Sequence, residues 1–371
     1  MFIGVKDFFY APFSMIENSG QVDIKNKLNK KTKKYLEDIM KLTIKKTLAL
    51  ALSIPMILAG CSAQANEGAP EVNNTGDVTY KIGITQYMEH PSLDEARQGL
   101  IDELEAQGLK IDVDYVNAQG DTSNNQIISE KFVKDNVDLI YAISTLSAQT
   151  AKNSTSGKDI PVLFSAVTDP VYSQLVTAYD EIENITGVTD KVESLEILKL
   201  AKDLKEDINV VGIIYNTGES NSEVQVDEVK TAADALGMTV ETVGISSMND
   251  IPQAVNTLSK KSDVLYMISD NMVATSIELI ANLAIENKML TLSSIESQAA
   301  DGILMANGLN YYNLGKQAGV MAKKVLTGEI EIKDLNVEQP SGLKKIVNVK
   351  TMEALGLTKD NKAFEGAEFL D

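Results

Sequence analysis

An α/β fold of two lobes, each a parallel sheet flanked by helices, is what this 371-residue sequence predicts. Short apolar runs alternate with stretches of helical period, the pattern of parallel sheets covered on both faces. The alternation occurs twice, over 80–187 and about 190–292, and both units open on a strand with an internal Gly followed by polar residues, KIGITQ at 81–86 and VVGIIY at 210–215. Even without its first 60 residues the chain is long for one core and suits two.

In order, the expected strands are 81–85, 112–116, 139–143, 162–164, 210–215, 239–243, 264–268 and 291–292, with 184–189 as a crossing strand between units. The expected helices are 93–107, 123–136, 147–154, 195–205, 222–236, 251–259, 273–288 and 314–326. In the first of them Ala96, Leu100, Ile101 and Leu104 recur at three and four, one apolar stripe with charges opposite. Gly108 and Gly237 then stand where a left-handed helix stop is wanted. The run from Gly302 to Gly308 and the helix after it can pack only by returning to the first lobe, so several crossings join the lobes and form a hinge. The lobe boundaries that follow are 80–187 plus about 295–330, and 188–294 plus about 331–371.

Ahead of this lies Leu58-Ala59-Gly60-Cys61, with the only cysteine of the chain directly after an apolar run led by Lys45 and Lys46. The run is too short to span a bilayer, which takes about 20 residues. It resembles a bacterial lipoprotein signal, whose Cys is acylated and becomes the first mature residue. Residues 40–60 are then the signal peptide and 61–79, polar and poor in large apolar groups, a flexible tether. Residues 1–39 read as upstream sequence from a mistaken start or as a disordered extension. The protein is expected outside the cytoplasm, held to the cell membrane by lipid alone.

Residues 61–371 hold 24 basic and 48 acidic side chains, a formal charge of −24. That excess argues against nucleic acid and against an anionic membrane surface as partners. Catalysis is hard to assemble. His90 is the sole histidine, no serine stands in a nucleophile elbow, and neither a phosphate-binding loop nor a zinc-spaced His/Cys cluster is present. No cofactor and no metal are expected, and the protein is read as a non-enzyme. A hydrolase that uses carboxylates in the cleft is the competing reading, and a ligand receptor serving signalling is another.

Polar residues crowd the carboxyl ends of the expected strands, where an open parallel sheet binds ligands. They include Gln86, Tyr87, Glu89 and His90; Ser144, Thr145 and Ser147; Thr168 and Asp169; Asn216, Glu219, Asn221 and Ser222; Ser269, Asp270 and Asn271; and Glu296. Ser, Thr, Asn and Asp at such places also serve as turn formers and helix caps. Two of these edges facing each other would make a cleft. Helix starts at Thr145 and at Asn221–Ser222 would seat a carboxylate without arginine, and Asp169 and Asp270 would oppose an ammonium group. Arg97, the sole arginine, is expected beyond the cleft edge.

The stretch ITQYMEHPSLDEARQG at 84–99 resembles the first strand and helix of the ABC-transporter substrate-binding lipoproteins grouped with the tryptophan and tyrosine importers. STLSAQ at 144–149, FSAVTDP at 164–170, YNTGESNS at 215–222 and ANGLNYYNLG at 306–315 match in the same order. The resemblance implies a type I periplasmic-binding-protein fold with three interlobe crossings. It further implies a small solute, an aromatic amino acid above all, held between closing lobes, and docking on an ABC permease with its ATPase. Ligand-contacting positions carry over to Gln86, Thr145, Asp169, Asn221, Ser222 and Asp270, and further to Tyr87, Ser147, Asn216 and Glu296.

Overall fold

The computed structural model of the protein describes residues 78–371. Cys61, the expected signal peptide, the 1–39 segment and nearly all of the expected tether lie outside the described residues.

The first sheet holds β1 (Thr79–Gln86), β2 (Lys110–Asn117), β3 (Leu139–Ile143), β4 (Val162–Val167) and β5 (Ile185–Thr189), all parallel, in the order β2-β1-β3-β4-β5. Helices α1 (Pro91–Ala106), α2 (Thr122–Lys134) and α3 (Thr145–Ser154) connect the first four strands. Every residue of β3, β4 and β5 is buried, as strands covered on both faces require. The order reverses between β1 and β3, so the crevice outside their carboxyl ends is the switch point of this lobe.

The second sheet repeats that order with β6 (Val210–Asn216), β7 (Thr239–Ile245), β8 (Val264–Met267), β9 (Leu290–Ile295) and β10 (Met305–Leu309), arranged β7-β6-β8-β9-β10. Two more strands extend it, β11 (Leu343–Asn348), antiparallel to β10, and β12 (Glu368–Leu370). Its helices are α4 (Ser194–Leu204), α5 (Ser220–Ala235), α6 (Ile251–Leu258), α7 (Asn271–Thr275) and α8 (Ile277–Glu286). The single helix expected over 273–288 is two: the Asp270 carboxylate starts α7 early by accepting from Val273 N–H (2.9 Å), and the chain breaks at Ser276, which ends α7 and opens α8.

Met305–Leu309, drawn above with the first lobe, pairs with β9 in the second sheet. The helix that follows, α9 (Tyr311–Leu326), does return to the first lobe, where it lies along α1. The contact is backbone-close. A Cβ on Gly99 would stand 2.1 Å from the Tyr312 carbonyl oxygen, and one on Gly315 2.0 Å from that of Ala96.

The chain therefore crosses between lobes three times: after β5, between β10 and α9, and between α9 and β11. The crossings are tied together. Thr189 N–H donates to the Glu338 carbonyl (3.0 Å), Glu338 N–H to that of Gly187 (2.9 Å), and the Tyr311 hydroxyl to Asp190 Oδ2 (2.6 Å).

Candidate functional site

The switch points of both sheets open toward one interlobe space. From the first lobe its walls are His90 and Leu93 at the start of α1 and Ala166 on β4; from the second they are Asn221, the Ser269–Asn271 loop, Ala274 and Ile295. Asp190 and Tyr311, from two of the crossings, close its back. The space measures ≈ 10 Å³ for a water-sized sphere, so entry of a solute requires the lobes to part or the lining to rearrange. The lobes touch directly across it, His90 Nε2 lying 3.2 Å from Asn271 Oδ1 and Ser92 Oγ 3.5 Å from Ser297 Oγ.

The second-lobe wall is a buried carboxylate pair with its own donors. Asp270 Oδ2 accepts from Asn216 N–H (2.6 Å) and the Ser222 hydroxyl (2.7 Å), while Oδ1 takes Val273 N–H. Glu219 Oε1 accepts from Asn216 Nδ2 (3.0 Å), and its Oε2 from the backbone N–H (3.2 Å) and the side-chain amide of Asn271. Burial raises the pKa of both acids, and for Glu219 the Asp270 charge adds to it. Asn221 Nδ2 donates to the Ser269 carbonyl (2.9 Å), and its Oδ1 has no partner among the described residues.

Asp190 differs from that pair. Its carboxylate is buried, lines the space, and accepts from the hydroxyls of Thr168 (2.9 Å) and Tyr311 (2.6 Å). No cation offsets it among the described residues, and burial raises its pKa. In the first lobe the hydroxyls Ser144 Oγ and Thr145 Oγ1, at the start of α3, are buried with no partner among the described residues. Ser144 holds φ at +96°, a conformation costly for a residue with a Cβ. Its N–H donates to the Ser165 carbonyl (3.1 Å), next to the lining residue Ala166.

The structure gathers Asn216, Asn221, Ser222 and Asp270 into one cluster, but Asn216, Ser222 and Asp270 spend their polar groups on one another and on Glu219. Tyr87 is buried and its hydroxyl donates to the Gly120 carbonyl (2.9 Å); burial, with the Glu219, Asp121 and Asp270 charges adding to it, pushes that hydroxyl up to about 12. Gln86 is buried; its Nε2 donates to Asp94 Oδ1 (2.9 Å) and its Oε1 accepts from Arg97 (2.6 Å). Arg97 therefore reaches back to the strand edge instead of lying beyond it, and stacks 4.0 Å from the Tyr115 ring centroid. Ser147 points into the first lobe, hydrogen-bonded to Asn125 (3.2 Å). Asp169 Oδ1 accepts from Val171 and Tyr172 N–H (3.0 and 2.8 Å), an Asx turn away from the lining. Glu296 faces Lys344 (3.6 Å) and, with Asp301, helps push Glu95 of α1 up to about 7, after burial.

His90, Asp190 and Tyr311 were not among the expected ligand contacts. The carboxyl-edge rule applied to the crossing strand points to Asp190, one residue past β5. Nothing local marks Tyr311 over Tyr312. Among the described residues no group of His, Cys, Asp and Glu is placed to hold a metal, and no helix is long and apolar enough to cross a membrane.

Known proteins share this architecture. A curated tyrosine-binding protein of Clostridioides difficile is 39% identical over 319 residues, covering 84% of this chain and 91% of its own. A Streptococcus pneumoniae ABC domain in complex with L-Trp is 30% identical with a TM-score of 0.75, covering 79% of this chain and all of its own (100%). The ligand-free, open structure of a Clostridium difficile substrate-binding protein with adhesive properties is 40% identical, yet superposes less well, with a TM-score of 0.62 over 79% of this chain and 99% of its own. A glucose-galactose binding protein of Geobacillus stearothermophilus, 15% identical with a TM-score of 0.55 over 73% of this chain and 98% of its own, shares the type I binding-protein fold alone. The profile described as ABC transporter substrate binding protein matches residues 81–368, so this chain belongs to the family of ABC-transporter substrate-binding proteins.

Proposed function

We propose that the protein captures an aromatic amino acid, tyrosine or tryptophan, between its lobes and delivers it to an ABC permease and its ATPase. In this reading it works outside the cytoplasm, anchored through lipid on Cys61. Two observations support the ligand class: Asp190, a buried carboxylate with no cation among the described residues, lines the interlobe space, and the hydroxyls of Ser144 and Thr145, at the helix start that follows β3, have no partner among the described residues. The first wants a cation and the second an anion, as a zwitterion supplies.

The ammonium is assigned to Asp190 instead of Asp270 or Asp169, whose oxygens already serve the fold. The ligand carboxylate goes to the Ser144–Thr145 start of α3. The Asn221–Ser222 start is shielded by Glu219 and Asp270, which would repel it. Support for a closing motion comes from the direct interlobe hydrogen bonds and from the better superposition on the tryptophan complex than on the more similar open structure.

Titration calorimetry of the purified protein against the common amino acids and nucleosides tests this. Binding of tyrosine or tryptophan, with the methyl ester or carboxamide at least 10-fold weaker, is expected. Preference for a nucleoside, equal affinity for the ester, or turnover of a substrate would overturn it.

A further inference from the structure

The start of α1 carries a buried group with no assigned task. His90 is 5% exposed, lines the interlobe space, and bridges the lobes through Nε2 to Asn271 Oδ1, while its Nδ1 has no partner among the described residues. The direction of that bridge is fixed from behind. Glu219 meets N–H donors on both oxygens, Asn216 Nδ2 on one and the backbone and side-chain N–H groups of Asn271 on the other. The Asn271 amide thus turns its NH2 to Glu219 and its oxygen to His90, so Nε2 carries the hydrogen. A buried imidazole that donates through Nε2 and stays neutral leaves Nδ1 as a bare acceptor.

The surroundings say which end of a ligand meets that nitrogen. One helical turn beyond His90 is Leu93, and one turn beyond Asn271 is Ala274; both line the same space, with Ile295. Apolar surface from both lobes flanks the bridge and suits a ligand's side chain, whereas Asp190, on a crossing at the back of the space, takes the ammonium in the reading above. We propose that His90 Nδ1 accepts a hydrogen bond from a polar hydrogen on the ligand's aromatic ring, a phenol O–H or an indole N–H, and thereby selects tyrosine and tryptophan over phenylalanine. The inference rests on the amino-acid reading above and adds to it a specificity-determining residue. A phenyl ring would leave Nδ1 buried and unpaired, and sites built to bond a ligand hydroxyl reject the analogue that lacks it.

Dissociation constants for tyrosine, tryptophan and phenylalanine, measured on the purified protein and on His90→Leu, test the proposal. The wild type should prefer a donor-bearing ligand over phenylalanine by more than about 100-fold, and His90→Leu should shrink that ratio to below about 5-fold. A wild-type ratio near one, or a large ratio unchanged in the variant, overturns the role of His90 and leaves amino-acid binding standing. Failure to bind any aromatic amino acid overturns both. If His90→Leu does not fold, the nitrogen-15 spectrum of this single imidazole in the wild-type complex with tyrosine decides. Hydrogen on Nε2 with a bare, hydrogen-bonded Nδ1 is required, and hydrogen on Nδ1 refutes it.

Discussion

At the scale of single residues the cleft separates carboxylates that build the wall from one that faces the ligand. Asp270 takes three donors within its own lobe, and Asp190 takes two hydroxyls at the hinge with no cation. Truncating one partner of a buried charge pair costs about 2 to 5 kcal/mol. Asp190→Asn, which keeps an acceptor for Tyr311, is therefore expected to weaken amino-acid binding by about 30-fold or more at little cost in melting temperature. Asp270→Ala should instead lower the melting temperature, because it strands Asn216 N–H and the cap of α7. Calorimetry and thermal melts on the two variants check this, and equal binding by wild type and Asp190→Asn would remove Asp190 from the ammonium site. The edge rule could place Asp270, Asn221 and Ser222 at the cleft from sequence alone. It could not tell which oxygens face inward, because that depends on partners such as Glu219 and Asn271, 52 residues apart. The same rule put His90 at the edge but could not show that it bridges the lobes, its partner being 181 residues away.

Among elements, the decisive contact is α1 on α9. Periodicity locates both helices, the Gly99 and Gly315 positions explain how closely they meet, and the return of α9 to the first lobe was expected because it had nowhere else to pack; no local pattern says that β10, just before it, stays in the second sheet. The alternating strands and helices up to β9 were legible because each is a short βα unit whose pattern is local. β11 and β12 were not: their pairing is set by β10 and by the third crossing, and β12 has only three residues. Gly315→Ala pushes a methyl group against the Ala96 carbonyl, with no flexible side chain there to yield. Overpacking of this kind costs about 1 to 3 kcal/mol, and the loss should appear in denaturant unfolding as a lower midpoint with an unchanged slope. An unaffected midpoint would mean that α9 can slide on α1.

Across the whole molecule, closing the lobes buries acids from both sides, which makes stability depend on pH with a definite sign. Burial, with Glu296, Asp301 and Asp94 adding to it, pushes Glu95 up to about 7 from an ordinary 4.5, and Glu219, Asp270, Asp190 and Asp301 are raised as well. Each binds more proton in the folded than in the unfolded state between its two values, so each loses stability as pH rises through that window. His90 runs the other way, lowered by burial from 6.5 to about 4, and loses stability as pH falls through that interval. Several acids against one imidazole leave the protein more stable near pH 5 than near pH 8. Glu95→Gln should raise the melting temperature at pH 8 more than at pH 5; a wild type that melts higher at pH 8, with no effect of the substitution, would refute this balance.

The attachment of the molecule as a whole is a separate matter from its binding. The described residues, 78–371, lie in one compact unit, and the proposed anchor at Cys61 lies outside them. With a formal charge of −24 on residues 61–371, an anionic membrane repels the protein surface, so lipid alone would hold it there. One acyl chain binds marginally and two or more bind stably, and without the Cys61 thiol there is no atom to carry them. Cys61→Ser is therefore expected to leave the membrane fraction while binding its amino acid with wild-type affinity, as read by fractionation after a high-salt wash and by calorimetry of the released protein. Retention of the variant on membranes would place the anchor elsewhere, and loss of ligand affinity on release would show that cleft and anchor are coupled.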